Sequence, residues 1–158
     1  MNNSKKISII GGTGNLGVPV VKFLLQDGFE IKLIVRNISK AKRLFDANPK
    51  VQLVEADLRD VAGLKSALTG TAYLYLNLST QTTDINIPFS TEREGVANIL
   101  EAIEQGSIRQ IIAISGLGAF DNVQKPDLFE FIPNIIRKQG HKLLKNSGIP
   151  YTILHCSY

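Results

Sequence analysis

Four glycines within seven residues mark the part of the sequence best suited to bind a phosphate. The run GGTGNLG places Gly11, Gly12, Gly14 and Gly17 between an apolar stretch and a segment with helical periodicity. Glycines let the backbone bend sharply and approach a ligand, and the open N–H groups at the start of a helix attract anions. Turns also use glycine for steric reasons alone, but the position between a strand and a helix favours a pyrophosphate site.

The residue after the second predicted strand distinguishes between two dinucleotides. Sites that select NAD usually place a carboxylate there, where it binds the ribose 2′-hydroxyl. This chain has Arg36 at that position, with Lys40 one turn further on. A guanidinium offers paired hydrogen bonds to a 2′-phosphate. The sequence therefore predicts NADP(H) in preference to NAD(H), the alternative being a surface arginine without a ligand.

Asp57 follows the third predicted strand, in the segment EADLRD. At the carboxyl edge of a parallel sheet this side chain would lie beside the adenine. The same residue would equally serve as the N-cap or the preceding turn of the next helix. The two roles do not exclude each other.

Strand and helix patterns alternate along the whole chain. The predicted strands, rich in β-branched residues, are 6–10, 30–35, 51–54, 72–78, 109–115 and 151–155. The predicted helices, with apolar residues at helical spacing, are 15–27, 39–47, 61–68, 91–105 and 128–146. This alternation predicts an α/β fold with a doubly wound parallel sheet of about six strands in the order 3-2-1-4-5-6. No linker or repeat divides it, so residues 1–158 are expected to form one domain.

Composition narrows the class of protein. The chain has 158 residues, a net charge of +4 and a single cysteine, Cys156. One cysteine excludes an internal disulfide and a multi-cysteine metal site, and two distant histidines do not indicate zinc. The basic residues are too dispersed for a nucleic-acid binder, and no apolar run approaches membrane-spanning length. We therefore expect a cytoplasmic protein with no metal, nucleic-acid or membrane partner.

Taken together, the motifs resemble those of the NmrA-like group of atypical short-chain dehydrogenases/reductases. The resemblance rests on GGTGNLG, LIVRNISKAKRL, VQLVEADLRDVAGLKSALTGTAYLYLNLS, GVANILEAIEQGSIRQIIAISGLGA and NSGIPYTILH. These segments follow the order and spacing of that family and cover nearly the whole chain. The resemblance implies a Rossmann domain that binds NAD(P).

The resemblance also implies specific roles for individual residues. It places the phosphate-binding turn at Gly11, Gly12, Thr13, Gly14, Asn15, Leu16 and Gly17. Arg36 and Lys40 would bind the 2′-phosphate, and Asp57 and Leu58 would border the adenine. On the nicotinamide side it places Leu78, Ser79 and Ser115, with Ser115 in the position of the family's catalytic serine.

The chain departs from the family at its catalytic positions. None of the four tyrosines is followed by a lysine four residues later, so the usual Tyr-x-x-x-Lys proton relay is missing. Arg137 occupies the place where atypical members have a lysine, and Lys138 is the adjacent candidate. Arginine stays protonated and cannot act as a base. Where relatives often have arginine-proline, this chain has His155 and Cys156. His155 is interpreted either as a strand-end histidine that can titrate near neutrality or as a capped edge residue. Cys156 is interpreted as a small apolar filler.

Two functions remain open from the sequence. The first is an NADPH-dependent reductase acting on a small carbonyl or enone, with Ser115 and Lys138 as catalytic candidates. The second is a non-catalytic NAD(P)H sensor that binds a protein partner. The family's substrate-binding region is expected to be absent because the chain stops after the sixth strand, and a homo-oligomer is one way to complete it.

Overall fold

The computed structural model describes residues 5–120 and 131–157. Six parallel strands form one sheet: β1 (Lys6–Ile10), β2 (Glu30–Val35), β3 (Val51–Glu55), β4 (Tyr73–Leu76), β5 (Gln110–Gly116) and β6 (Tyr151–Cys156). The connecting helices are α1 (Gly17–Gln26), α2 (Ile38–Phe45), α3 (Val61–Leu68), α4 (Glu94–Ala102) and α5 (Ile132–Asn146), with a 3-10 turn at Leu117–Ala119.

The strand order is β3-β2-β1-β4-β5-β6, which confirms the predicted doubly wound topology. Every neighbouring pair is parallel, so the carboxyl ends of all six strands lie at one edge of the sheet. The order reverses between β1 and β4, and a ligand crevice opens at such a reversal. The glycine-rich turn follows β1 and therefore lies beside that crevice.

Several element boundaries differ from the predicted ones. Strand β4 ends at Leu76 rather than at residue 78, because the chain leaves the ladder after the amide of Asn77 donates to the Ile10 carbonyl. Helix α4 starts at Glu94 rather than at 91, where Ser90 hydroxyl accepts from the Arg93 amide. Helix α5 is described from Ile132, and the predicted residues 128–130 lie outside the described part of the chain.

Apolar side chains cover both faces of the sheet. One core cluster packs the strands against α3, α4 and the end of α5, around Leu64, Ile99 and Leu144. The other packs β1 and β2 against α1 and α2, around Val21 and Phe45. Burial on both faces explains why these strands read as continuous apolar runs. The two cores fix the strand ends, and the strand ends position the site.

Candidate functional site

In the turn between β1 and α1, three positions must be glycine because neighbouring atoms of the protein leave no space for a Cβ. Gly11 has φ +86°, and a Cβ there would lie 1.9 Å from the Asn77 carbonyl oxygen. A Cβ on Gly12 would lie 2.4 Å from Leu33 Cδ1, and one on Gly17 2.3 Å from the Gly11 carbonyl oxygen. These contacts draw α1 tightly onto the sheet and leave no space for a side chain.

Gly14 differs from these three glycines because no neighbouring residue demands it. The nearest atom to a Cβ on Gly14 would be the Gly11 carbonyl oxygen at 3.4 Å, an ordinary contact distance, and the residue is exposed. Asn15 and Leu16 beside it are exposed as well. Among the described residues, no backbone carbonyl accepts from their amides, and Leu16 gives α1 no side-chain cap. A bare, open cradle of N–H groups therefore lies at the positive end of α1.

A cavity of about 220 Å³ opens next to this turn, at the reversal point of the sheet. It is lined at the strand ends by predicted cofactor residues: Gly11, Thr13, Arg36, Asp57, Leu58, Leu78 and Ser79. Lys40 is not part of this wall; it lies exposed in the first turn of α2, where its amide donates to Asn37 Oδ1 at 2.8 Å. The structure therefore brings the end of β2 and the segments after β3 and β4 to one cavity.

Asp57 holds the turn that follows β3 and also lines this cavity. Its Oδ1 accepts from the Arg59 amide at 2.8 Å, and its carbonyl accepts from the Asp60 amide at 3.0 Å. The N-cap of α3 is Asp60, whose Oδ1 accepts from the Gly63 amide at 3.0 Å. Of the two structural alternatives for Asp57, the preceding turn is therefore the one observed.

Sequence reasoning missed eight residues of this cavity wall, four of which are polar or aromatic: Asn77, Arg59, Phe89 and Thr91. The Arg59 guanidinium lies over the Phe89 ring at 4.3 Å and 3.8 Å from Asp57 Oδ1. Asn77 follows a strand end, so its position was available from the strand pattern. Phe89 and Thr91 come from an irregular segment, and no periodic signal in the sequence indicates that it folds back over the cavity.

A second and larger cavity, of about 820 Å³, lies on the other side of Ser79, which lines both. Its wall is formed by Leu16, residues 79–83, residues 116–118, Phe131, Pro133, Asn134, Arg137, Cys156 and Ser157. The two cavities thus flank the segment after β4 and share the glycine-rich turn region. An elongated ligand lying across the carboxyl edge would reach from Arg36 to the end of β6.

The two sequence-predicted catalytic candidates occupy different surroundings. Ser115 is 2% exposed, on β5 directly before the cavity-lining Gly116, and its hydroxyl has no hydrogen-bond partner among the described residues. Lys138 is half-buried on α5, and the α5 residues in the cavity wall are Pro133, Asn134 and Arg137. Of the tyrosines in the described part of the chain, Tyr73, Tyr75 and Tyr151, none belongs to either cavity wall. Tyr75 lies below the site, and burial, with the Cys156 thiol as a second cause, raises the pKa of its phenol.

Arg137 belongs to a buried ion pair with Glu92. Its Nε donates to Glu92 Oε1 at 2.6 Å, Nη2 donates to Oε2 at 3.4 Å, and Nη1 donates to Asn134 Oδ1 at 3.1 Å. Glu92 Oε2 also accepts from the Thr80 amide at 2.7 Å. The arginine in the family's lysine position therefore connects α5 to the segment after β4.

His155 and Cys156 end β6 beside the larger cavity. His155 Nδ1 lies 3.1 Å from the Gly116 carbonyl oxygen, so the ring nitrogen donates there. The ring makes edge-to-face contacts with Phe120 at 5.0 Å and with His141 at 5.4 Å. This is the strand-end role expected for the histidine. Cys156 is half-buried and lines the cavity, which the interpretation as an apolar filler did not predict.

A hollow of about 480 Å³ also lies at the opposite, amino edge of the sheet. Its most buried cation, Lys32, donates to the Ala67 and Thr69 carbonyls at 3.2 and 2.6 Å, and burial lowers the pKa of this amine. Lys6 in the same wall forms an ion pair with Glu30 at 2.9 Å. These charges stabilise the ends of β1, β2 and α3, which accounts for them without a ligand.

Within residues 5–120 and 131–157, no group of three histidine, cysteine or carboxylate residues is placed to hold a metal ion. No helix in the same ranges is long and apolar enough to cross a bilayer.

The sequence of this chain is similar to the sequences of known proteins that bind NAD(P)H. A family model described as NAD(P)H-binding matches residues 11–158. The photosystem II assembly factor Ycf39 of Cyanophora paradoxa is 30% identical over 147 residues, which cover 93% of this chain and 43% of Ycf39. The NmrA-like family domain-containing oxidoreductase himF of Aspergillus japonicus is 30% identical over 112 residues, covering 70% of this chain and 34% of himF.

Several similar solved structures carry a bound dinucleotide, NADPH in one and NAD in others. The NADPH-dependent quinone oxidoreductase QOR2 of Escherichia coli, complexed with NADPH, aligns with a TM-score of 0.74 at 30% identity. The alignment covers 94% of this chain and 48% of QOR2. The chain thus spans about half the length of the relatives it matches.

Proposed function

We propose that this chain, which belongs to the NAD(P)H-binding family and to its NmrA-like members, is an NADPH-dependent reductase of a small carbonyl compound. Quinones are the first substrate class to test. The observation that supports dinucleotide binding most directly is Gly14. It is an exposed glycine in the motif that no protein contact requires, next to amides without backbone acceptors. A bound pyrophosphate needs both the missing Cβ and the free N–H groups.

The preference for NADPH is proposed from the charge around the 220 Å³ cavity. Arg36 and Arg59 both lie in its wall, and no carboxylate stands at the end of β2. Asp57 is the one acid among the described residues of that wall, and it is engaged by the Arg59 amide and guanidinium. Two guanidinium groups facing one cavity suit a 2′-phosphate in addition to a ribose.

The residues around the larger cavity suit a reaction that does not depend on a tyrosine. When bound, the reduced nicotinamide would supply a hydride to the substrate. The wall formed by residues 79–83, 116–118 and α5 would orient the substrate and exclude water from it. The oxygen of a reduced quinone can take its proton directly from water. The missing Tyr-x-x-x-Lys relay therefore does not forbid this chemistry. The name of QOR2 identifies quinone reduction in a relative of similar structure.

Ser115 and Lys138 remain the proposed catalytic residues beside this cavity. Ser115 carries a hydroxyl without a partner, directly before Gly116 of the cavity wall. Lys138 follows Arg137 on α5 and points about 100° around the helix from it, so a substrate would have to extend past Arg137 to reach the amine. Ser115→Ala and Lys138→Ala, each compared with Lys142→Ala on the exposed face of α5, test the two roles separately.

Two measurements test the reductase. Calorimetric titrations with NADPH, NADP⁺, NADH and NAD⁺ should give the tightest binding for the two phosphorylated cofactors. Loss of NADPH absorbance in the presence of quinones, aldehydes and enones should then reveal turnover with at least one quinone. Equal affinity for all four cofactors would contradict the NADP(H) preference, and binding without turnover of any acceptor would contradict the reductase.

The alternative is an NAD(P)H-responsive binding protein, and Arg137 is the observation that favours it. In the family's lysine position this chain has an arginine whose Nε and both Nη groups already hold Glu92 and Asn134. Ycf39, a relative at 30% identity, is named an assembly factor rather than a reductase. In this reading the segment 79–90 and α5 would form the surface for a protein partner or a second copy. Clearly different affinities for NADP⁺ and NADPH, with no turnover, would support it.

A further inference from the structure

Two buried hydroxyl groups near the larger cavity lack hydrogen-bond partners among the described residues. They are Thr80 Oγ1 and Ser115 Oγ. Buried polar atoms in proteins are nearly always paired, so each exception calls for an explanation. Ser115 was already a candidate from the sequence, whereas Thr80 was not. Thr80 is therefore a candidate functional residue that only the structure reveals.

Thr80 belongs to the wall of the 820 Å³ cavity and is 7% exposed. Its hydroxyl oxygen is covered from solvent in this structure. A change of χ1 by about 120° moves the hydroxyl group of threonine into the place of the methyl group, and the methyl group into the place of the hydrogen. Such a rotation would present the hydroxyl to a ligand without breaking a hydrogen bond to any described residue.

The backbone of Thr80 is held in place by charged groups that are themselves buried. Its amide donates at 2.7 Å to Glu92, whose side chain is 6% exposed and is paired with Arg137. Helix α5 approaches this pair so closely that a Cβ on Gly140 would lie 1.7 Å from the Glu92 carbonyl oxygen. Buried ion pairs contribute little to stability when compared with apolar packing. Precise placement of Thr80 is a better account of this pair than stability is.

We propose that the Thr80 hydroxyl donates a hydrogen bond to the carbonyl oxygen of the substrate, and that Glu92 and Arg137 are positioning residues for it. This inference rests on the proposed reductase function. It makes Thr80 a catalytic residue and assigns to Arg137 a task that does not require loss of a proton.

The chemistry of carbonyl reduction gives such a donor a purpose. When a hydride and its electron pair are transferred to a quinone, the quinone is reduced, the nicotinamide is oxidised, and one quinone oxygen gains negative charge. A donor aimed at that oxygen binds the charged state more strongly than the neutral one. Water then supplies the proton that completes the hydroquinone. Loss of a single donor of this kind typically lowers a rate by roughly 100-fold to 1,000-fold.

The test compares Thr80→Val with Thr69→Val. Thr69 is exposed at the end of α3 and belongs to the wall of neither the 220 Å³ nor the 820 Å³ cavity, so the same substitution there leaves the site untouched. Two readouts are used: turnover of NADPH with menadione, and the dissociation constant of menadione for the protein saturated with NADP⁺, which needs no turnover. Removing a partnerless buried hydroxyl should leave the melting temperature unchanged or raise it.

The expected result for Thr80→Val is a loss of at least about tenfold in kcat/KM. The loss in menadione affinity should be smaller, roughly twofold to tenfold, because the hydrogen bond to a neutral carbonyl is weaker than one to the charged oxygen. The NADPH dissociation constant should stay within about twofold of wild type, and Thr69→Val should behave like wild type. Menadione binding that is equal in wild type and Thr80→Val overturns the inference, even if wild type turns over. So does a loss confined to NADPH affinity, which would place the hydroxyl on the cofactor. Menadione binding that requires Thr80 without turnover supports the inference while it contradicts the reductase.

Discussion

Gly14 is the residue at which steric and functional explanations of the glycine-rich turn separate. Gly11, Gly12 and Gly17 are each required by a backbone or side-chain atom less than 2.5 Å from a Cβ built on them. Gly14 meets only one carbonyl oxygen at ordinary contact distance. Its lack of a side chain therefore matters to a ligand and not to the fold.

Gly14→Ala should accordingly bind NADPH at least roughly tenfold more weakly while its free energy of unfolding is unchanged or rises by about 0.4–1 kcal/mol. The reason is that an alanine fits the unliganded turn and restricts the unfolded chain, but projects into the space of the pyrophosphate. Titration calorimetry and urea unfolding measure the two quantities. Gly12→Ala is the contrast: its Cβ would meet Leu33 at 2.4 Å, so we expect it to lose about 1–3 kcal/mol of stability. If Gly14→Ala binds NADPH normally, the cradle is not used.

Arg36→Asp should reverse the cofactor preference. A carboxylate at the end of β2 repels the 2′-phosphate and accepts from a 2′-hydroxyl, while loss of the guanidinium removes one or two charged hydrogen bonds of about 1.5–3 kcal/mol each. NADPH affinity should fall by roughly 10-fold to 100-fold, and NADH affinity should rise or hold. Lys42→Asp, on the same helix region but outside the cavity wall, makes the same charge change as a control. Equal losses for both cofactors would contradict this role for Arg36.

At the scale of elements, the approach of α5 to the segment before α4 decides where Arg137 lies. Gly140 permits that approach, because a Cβ there would lie 1.7 Å from the Glu92 carbonyl oxygen. Arg137 sits one turn earlier on the same helix and reaches the carboxylate of that same residue. The helix, the ion pair and the Thr80 amide therefore form one connected unit.

Gly140→Ala should push α5 away from Glu92 and lower the free energy of unfolding by about 1–3 kcal/mol, as overpacking does. The displacement also lengthens the contacts between Arg137 and Glu92, so catalytic turnover should fall more than cofactor binding does. Denaturant unfolding and cofactor titration give the two measures. Lys142→Ala, on the exposed face of α5, should change neither. A fully stable Gly140→Ala protein would show that α5 is free to shift.

At the scale of the whole molecule, two half-sites of the sheet meet at the reversal between β1 and β4. One half brings Arg36 and Asp57 to the smaller cavity, and the other brings Gly116 and Cys156 to the larger one. A dinucleotide that spans both cavities ties the two halves together. Leu154 of β6 lies on the face of the sheet covered by α1 and α2 and is 48% exposed. In the described part of the chain, the half of the sheet that contains β6 is therefore the less enclosed half.

Binding across both halves should raise the stability of the entire domain. At 100 times its dissociation constant, NADPH adds about 2.7 kcal/mol to the free energy of unfolding. For a chain of this size that corresponds to a rise in melting temperature of about 5–10 °C. Thermal unfolding followed by circular dichroism with each of the four cofactors provides the measurement. The shift should be smallest with NAD⁺ and NADH, and at the same NADPH concentration Gly14→Ala should show about half of the wild-type shift or less. Identical curves with and without NADPH would contradict dinucleotide binding.

The sequence by itself determined the strand order, the glycine-rich turn and about half of the wall of the smaller cavity. These features are local: each depends on a strand end and the few residues after it, and the parallel topology then brings all strand ends to one edge. Asp57, Leu78 and Arg36, which the sequence predicted to bind the cofactor, all line that cavity for this reason. Only the tertiary structure decided how Phe89 and Thr91 fold back, and that Arg137 pairs with Glu92, a residue 45 positions away. Such contacts join irregular segments to distant helices, and no periodic pattern in the chain encodes which side chains will meet there.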